Sequence, residues 1–140
     1  MTLYEQAERF FAAMNAKDFD TMLSMLSPTC ETRTPQGNFT GREEYRQWIA
    51  GLMRAVPDLT HELKGMRVES NDMLGFELHA FGTMTGPLAM PDGDVPPTGR
   101  HMDVGGTDFW RFNSDGLIEQ YHLSFDQAEF VRQLGIGQQS

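Results

Sequence analysis

The sequence has 140 residues, a length that fits one globular domain with a substantial core. Its 20 acidic residues outnumber its 11 lysines and arginines, which gives a formal net charge of −9. The basic residues are scattered, so no basic face is expected and nucleic acid is excluded as a partner. Because Cys30 is the single cysteine, an intrachain disulfide is also excluded.

The N-terminus has no basic stretch followed by an apolar one, so no secretory signal is expected. No apolar run approaches the roughly 20 residues that a membrane helix needs. We therefore expect a cytoplasmic protein that forms one domain over residues 1–140 and has no membrane partner.

Apolar residues in the first half of the chain recur at the three- and four-residue spacing of amphipathic helices. Pro57 ends the last of these patterns, because proline cannot continue a helix. The predicted elements are a helix over 2–16, a helix from Asp18 or Asp20 to Met25, a strand around Cys30 to Thr34, a turn over 35–38, and a helix from Gly41 to Val56.

After Pro57 the periodicity changes to two, which is typical of strands. Four prolines and three glycines fall in Gly86 to Gly99, which predicts a long irregular loop. The predicted elements are strands over His61 to Glu69 and Met73 to Thr85, a hairpin of Gly105 to Phe112 and Leu117 to Phe125 with its turn at 113–116, and a helix from Gln127 to Leu134 that ends at Gly135.

Helices early in the chain and an antiparallel meander late in the chain predict an α+β fold. A curved antiparallel sheet wrapped on the N-terminal helices encloses a cone that is open at one end. A ligand cavity is therefore expected inside the cone. The loop over Gly86 to Gly99 is predicted at the mouth of this cavity, because loops of this length often form lids.

Several local patterns, in this order and spacing, resemble the SnoaL-like group of the nuclear transport factor two-like superfamily. The patterns are FFAAMNAKDFDTMLSMLSP, GNFTGREEYRQWIAGLMRAVPDLTHEL, FGTMTG, the Pro-Pro-Thr-Gly-Arg run at 96–100, FWRFNSDGLIEQ, and Asp126 before RQLG. The resemblance implies a cone-shaped, cystatin-like α+β barrel that pairs as a homodimer through the outer face of its sheet. It also implies cofactor-free chemistry, since polyketide cyclases are well-known members.

The resemblance also assigns three positions. In the cyclases the second hairpin strand ends in a pattern like E-x-W-D-x-x-D, whose first aspartate is the acid/base. Leu123 stands at that aspartate's place here, Asp108 matches a partner histidine on the first strand, and Met84 matches a second histidine. Leucine cannot transfer a proton, so the cyclase machinery is changed at its key position.

Asp108 is the leading catalytic candidate. Strand alternation puts Asp108 and Trp110 on one face and Arg111 on the other, and arginine suits the outer face. Burial among aromatic rings would raise the pKa of Asp108 toward the value of a useful acid/base. The alternative is a structural aspartate held by a hydroxyl group or a backbone amide.

Tyr121 and His122 are candidates for assisting Asp108, but alternation puts them on opposite faces of their strand. If Leu123 faces the cavity, Tyr121 faces it too, and His122 faces outward unless a bulge reverses the register. Tyr121 would then donate a hydrogen bond to a substrate carbonyl or enolate. The candidates for contacts with the ligand are Phe11, Trp48, Phe81, Met84, Trp110 and Leu123.

The four histidines lack the spacings of common metal motifs, so no metal site and no cofactor are expected. The first hypothesis is a cofactor-independent cyclase, isomerase or hydrolase that acts on a small apolar molecule through Asp108. The alternatives are a non-catalytic ligand-binding protein and a dimerisation module of the same fold.

Overall fold

The computed structural model describes residues 1–136. The chain begins with two helices, and a third helix separates the first two strands from the others. The helices are α1 (Leu3–Asn15), α2 (Phe19–Ser24), α3 (Gly41–Ala55) and α4 (Gln127–Leu134), and the strands are β1 (Leu26–Thr34), β2 (Gly37–Thr40), β3 (Thr60–Glu69), β4 (Met73–Thr83), β5 (Leu88–Met90), β6 (Gly93–Val95), β7 (His101–Phe112) and β8 (Ile118–Phe125).

Six strands form one curved sheet in the order β2-β1-β8-β7-β4-β3. Neighbouring strands are antiparallel except β1 and β8, which pair in parallel. The sheet is therefore mixed rather than wholly antiparallel, and it does not close into the barrel that the resemblance implies. The α+β class and the helices packed on the sheet are confirmed.

Local side chains fix where the helices begin and end. Thr2 and Glu5 form a capping box at the start of α1, where each side chain satisfies a backbone N–H group of the other residue. Asp126 caps α4 by accepting a hydrogen bond from the Glu129 backbone N–H. Gly135 ends α4 with a φ of 74°, a conformation that glycine adopts without steric cost. The predicted end of this helix is thus the observed one.

Aromatic rings fill the space between α1 and the sheet. Trp110 of β7 is fully buried, and its ring centroid lies 5.1 Å from that of Phe10, 5.0 Å from that of Phe76 and 5.1 Å from that of Tyr121. Edge-to-face and tilted contacts of this kind stabilise a core beyond the area that they bury. The contact between Trp110 and Tyr121 also joins β7 to β8 on the inner face of the sheet.

The structure differs from the sequence prediction at several elements. Strand β7 begins at His101, four residues before the predicted Gly105. The segment predicted as a turn over 35–38 already contains the start of β2, and β1 begins at Leu26 rather than near Cys30. The segment from Gly86 to Gly99 is not wholly irregular, because β5 and β6 form a small two-stranded hairpin within it. The Gly86 backbone N–H donates to the Ala55 carbonyl oxygen at 3.0 Å, which joins this segment to the end of α3.

Candidate active site

A cavity lies between the inner face of the sheet and the helices. The space open to the centres of water molecules is about 70 Å³, which is room for a compact organic molecule. Its wall is mostly apolar. The described lining residues are Met14, Gln36, Trp48, Ile49, Leu52, Val56, Leu59, His61, Leu78, Ala80, Met102, Val104, Gly106, Asp108, Tyr121, Leu123, Phe125 and Phe130.

Asp108 is the one carboxyl group in this lining, and only 1% of it is exposed. The Trp110 indole N–H donates a hydrogen bond to Asp108 Oδ2 at 3.0 Å. Asp108 Oδ1 is buried and has no hydrogen-bond partner among the residues that the structure describes. Burial raises the pKa of Asp108 to about 7, although the Trp110 hydrogen bond and the nearby Tyr121 phenol, which completes no bond of normal geometry to Oδ1, offset part of this shift.

Two buried tyrosines lie near the carboxyl group. The rings of Tyr45 and Tyr121 are 5.2 Å apart, and burial raises the pKa of each phenol well above its ordinary value. Interaction with Tyr121 offsets part of the shift at Tyr45, although the Tyr45 hydroxyl group completes no hydrogen bond of normal geometry. Both phenols therefore stay protonated at neutral pH and remain hydrogen-bond donors.

Leu123 lies directly across from Asp108 in the antiparallel pairing of β7 and β8. Side chains that face each other in this way have Cβ atoms about 5 Å apart. The carboxyl group of Asp108 is therefore on the strand beside the position that carries the acid/base in the cyclases that this chain resembles. Asp108 thus places a carboxyl group in the wall directly across from Leu123.

The cavity opens beside Trp48 of α3. The Trp48 indole N–H donates to Gln36 Oε1 at 2.9 Å, and its ring stacks on Phe39 at 5.7 Å. These residues, with Leu88 to Pro91 of the predicted mouth loop, also line a wider groove outside the cavity. Trp48 thus lines both spaces, whereas the loop residues line the outer groove and not the cavity. The position of the loop at the cavity mouth stays a prediction.

His122 is on the outward side that strand alternation favoured, and the structure does not bring it to Asp108 as an assisting group. It lies on the outer face of β8, opposite Phe109, and not among the cavity-lining residues. No bulge reverses the register at this point, since Asp108, Phe109 and Trp110 pair in sequence with Leu123, His122 and Tyr121. From this position His122 does not reach the cavity to assist Asp108.

Of the six residues predicted to contact the ligand, two line the cavity and four do not. Trp48 and Leu123 line the cavity, but Phe81 does not, because the inward residues of β4 are its neighbours Leu78 and Ala80. The remaining three are buried without lining the cavity. These are Phe11, Met84 and Trp110.

Sequence analysis missed His61, which lines the cavity from β3. Its ring stacks on Phe11 with 5.3 Å between ring centroids, and its Nδ1 atom is buried without a partner among the described residues. Burial lowers the pKa of His61 to about 4, so the imidazole is neutral at physiological pH. The sequence did contain a signal for this position. His61 is a polar residue that strand alternation would place on the inner face of β3.

The only H-x-D pair, His101 and Asp103, lies on the exposed side of β7. Asp103 Oδ1 is 3.0 Å from His79 Nδ1, which makes it a surface pair. Within residues 1–136 no cluster of three metal-binding side chains is present. In the same residues, no helix has the length and apolar character that spanning a bilayer requires.

Many solved structures are similar to this chain, and three of them illustrate the match. TsrD from Streptomyces laurentii is 28% identical, with a TM-score of 0.79, and the match covers 95% of this chain and 94% of TsrD. A candidate SnoaL-like polyketide cyclase from Jannaschia sp. CCS1 is 19% identical, with a TM-score of 0.80 and coverage of 94% and 90%. IdmH from Streptomyces antibioticus, a candidate polyketide cyclase, is 22% identical, with a TM-score of 0.77 and coverage of 95% and 98%.

The two structures of lower identity show a shared fold, which by itself does not fix a reaction. No curated protein matches the sequence. The SnoaL-like domain profile matches residues 7–121, which run from α1 to Tyr121 in the wall of the cavity. This match covers most of the chain, and the protein therefore belongs to the SnoaL-like family.

Proposed function

We propose that this protein is a cofactor-independent enzyme that transfers protons within a small, largely apolar molecule held in the cavity. Asp108 is the acid/base in this proposal, and Tyr121 is a hydrogen-bond donor to the reacting molecule. Members of the SnoaL-like family typically bind small molecules, which agrees with the size and apolar wall of the cavity.

The observation that carries the proposal is the state of the Asp108 carboxyl group. One oxygen is held by Trp110, and the other is buried and completes no hydrogen bond of normal geometry within residues 1–136. With a pKa of about 7, the group exists in both protonation states near neutral pH. General acid/base catalysis is most efficient when the pKa lies near the working pH.

The reaction class that fits this arrangement is proton abstraction next to a carbonyl group. Asp108 Oδ1 would take a proton from the carbon, and the electron pair of the C–H bond would move to the carbonyl oxygen as an enolate. A phenol O–H such as that of Tyr121 stabilises the developing negative charge. Return of the proton from Asp108 to the same or another carbon completes an exchange or an isomerisation without any further reactant.

A second candidate function is binding without turnover. The observation that favours it is Leu123, an apolar residue at the position that resembles the cyclase acid/base. In that case Asp108 would be a protonated hydrogen-bond donor that orients a ligand.

The test uses 1-indanone in deuterium oxide and follows exchange of its α protons by ¹H NMR. The wild-type protein should accelerate exchange, and Asp108→Asn should lose at least about 100-fold, which is the low end of the contribution of a general base. Asp103→Asn is the matched control, because Asp103 is on the exposed side of the same strand. That variant should exchange at the wild-type rate.

Two outcomes would contradict the proposal. If 1-indanone binds but its exchange is not accelerated, the protein is a binding protein and the second candidate is favoured. If Asp108→Asn and wild type accelerate exchange equally, the acid/base is another group.

A further inference from the structure

Two of the residues that line the cavity each have a buried polar atom without a partner among the described residues. One is Asp108 Oδ1 and the other is His61 Nδ1. Buried polar groups in native proteins are nearly always hydrogen-bonded, so each such atom requires an explanation. The proposed function uses Asp108 and leaves His61 without a role.

His61 is held firmly at this position. Its backbone N–H donates to Asn15 Oδ1 at 2.8 Å, and its carbonyl oxygen accepts from Asn15 Nδ2 at 2.9 Å. One side chain of α1 therefore binds both backbone polar groups of His61. The imidazole ring stacks on Phe11 of the same helix. A ring fixed at its backbone and its face presents its free nitrogen in a defined direction.

His61 and Asp108 contact different regions of the cavity. His61 pairs with Ala80, which pairs with Val104, so His61 lies at the level of Val104 on β7. Asp108 is four positions after Val104, which corresponds to roughly 13 Å along the strand. One small polar group cannot bind both side chains, but one molecule with two polar groups can.

We propose that His61 is a second polar anchor, which hydrogen-bonds a hydroxyl group at the end of the ligand remote from Asp108. The ligand class is thus an apolar ring molecule with two uncharged polar groups, one at each end. This inference rests on the proposed function only in that both place the ligand in the same cavity.

The chemistry of the wall favours uncharged groups. The described lining residues include no lysine or arginine that would neutralise an anionic ligand. His61 is neutral at physiological pH because burial lowers its pKa. A hydroxyl group suits a neutral imidazole in either tautomer, since it donates to a bare nitrogen and accepts from an N–H.

The test compares naphthalene, 2-naphthol and naphthalene-2,6-diol as probes, with affinity measured by calorimetry. In the wild-type protein the diol should bind about fivefold more tightly than 2-naphthol, which is the effect of one net hydrogen bond. In His61→Phe this advantage should disappear, because phenylalanine keeps the ring on Phe11 and removes both nitrogens. His79→Phe is the matched control and should keep the advantage, since His79 does not line the cavity.

A second measurement does not depend on a substitution. The ¹⁵N resonances of the His61 imidazole in the wild-type protein should shift when the diol is added and should stay nearly unchanged with naphthalene. Equal affinity of the diol and 2-naphthol for wild type, or an advantage that survives in His61→Phe, would overturn the inference.

The two proposals fail in different ways. If the diol has no advantage while Asp108 still controls exchange of 1-indanone, only the role of His61 is rejected. If none of the three probes binds while Asp108 still controls exchange of 1-indanone, the two-ended ligand is rejected and the proposed function stands. If exchange of 1-indanone is not accelerated while the diol keeps its advantage, only the proposed function is rejected.

Discussion

The carboxyl group of Asp108 lies where its charged form is poorly solvated. Trp110 supplies one hydrogen bond, but the second oxygen completes none with the part of the chain that the structure describes, and the surrounding wall is mostly apolar. A buried charge with incomplete hydrogen bonding destabilises the folded state. The same feature that would make Asp108 useful as an acid/base therefore makes it costly to the fold.

Asp108→Asn should become more stable relative to wild type as the pH rises from 4 to 8. The folded pKa of about 7 lies above the reference value of 3.8, so the native state binds more protons than the unfolded state in this window. The carboxyl group therefore lowers the free energy of unfolding as the pH rises, and this loss is complete above pH 7. The expected change in the difference between the two proteins is at most about 4 kcal/mol.

Urea unfolding of both proteins at pH 4, 6 and 8 measures this difference. Asp103→Asn controls for the loss of a carboxyl group at an exposed position of the same strand. A stability difference that does not change with pH would show that Asp108 titrates at its ordinary pKa.

Leu123→Asp should place a second carboxyl group beside the first. Two carboxyl groups on facing residues of paired strands cannot both ionise easily, so the pair should hold one proton to a pH above 7. ¹³C NMR titration of the aspartate carboxyl carbons should show two coupled steps, the upper one above that of wild type. Leu123→Asn is the uncharged control and should leave the Asp108 titration close to its wild-type position.

Alternation along β7 and β8 was enough to predict which side of the sheet each candidate faces. It placed Asp108, Tyr121 and Leu123 inward, and it favoured the outer face for His122. Alternation does not predict whether an inward side chain lines the cavity or is packed in the core. Trp110 shares the inner face with Asp108, yet it is buried in the core and does not line the cavity. Depth depends on which helix residues cover each position, and that follows from packing rather than from strand periodicity.

At the scale of elements, the long periodic segments were predicted well and the short ones were not. The helix predicted over Gly41 to Val56 and the hairpin around 113–116 match α3 and the β7–β8 turn closely. The short strands β2, β5 and β6 lie in segments rich in glycine and proline. They exist because of pairing with another strand, which local composition does not reveal.

Gly86→Ala should destabilise the attachment of the β5–β6 segment to α3. A Cβ atom at this position would lie 1.9 Å from the Arg54 carbonyl oxygen, so one of the two backbones must move. We expect a loss of about 1–3 kcal/mol, which is typical of forced backbone shifts in a packed region. Urea unfolding measures the loss.

Gly51→Ala is the matched control for this prediction. Gly51 lies inside α3, and a Cβ atom there meets nothing within 4 Å. Alanine should therefore stabilise the helix by about 0.5–1 kcal/mol. Equal effects of the two substitutions would contradict the close approach at Gly86.

At the scale of the whole molecule, the two titratable groups of the cavity act on stability in opposite directions. The raised pKa of Asp108 lowers stability as the pH rises toward 7, whereas the lowered pKa of His61 lowers stability as the pH falls below 6.5. Their contributions overlap between pH 4 and 6.5 and partly cancel there. A shallow pH dependence of the wild-type protein in this range is thus compatible with two strongly perturbed groups.

The outer face of the sheet is open along β7, where buried and exposed residues alternate over the whole strand. Phe109 lies on this face with half of its surface exposed, and its ring covers Gly75 of β4. A large aromatic side chain in the middle of a sheet face is more typical of an interface than of a solvated surface. We therefore predict that two copies of the protein pair through this face.

Phe109→Glu should convert a dimer of the wild-type protein into a monomer, because the substitution puts a charge at the centre of the apolar contact. Light scattering coupled to size exclusion at micromolar protein measures the mass of each. Ala12→Glu is the control, since Ala12 is exposed on α1, the helix that packs against the opposite, inner side of the sheet. It should leave the mass unchanged. A monomer mass for wild type, or equal dissociation by both substitutions, would show that this face is not the interface.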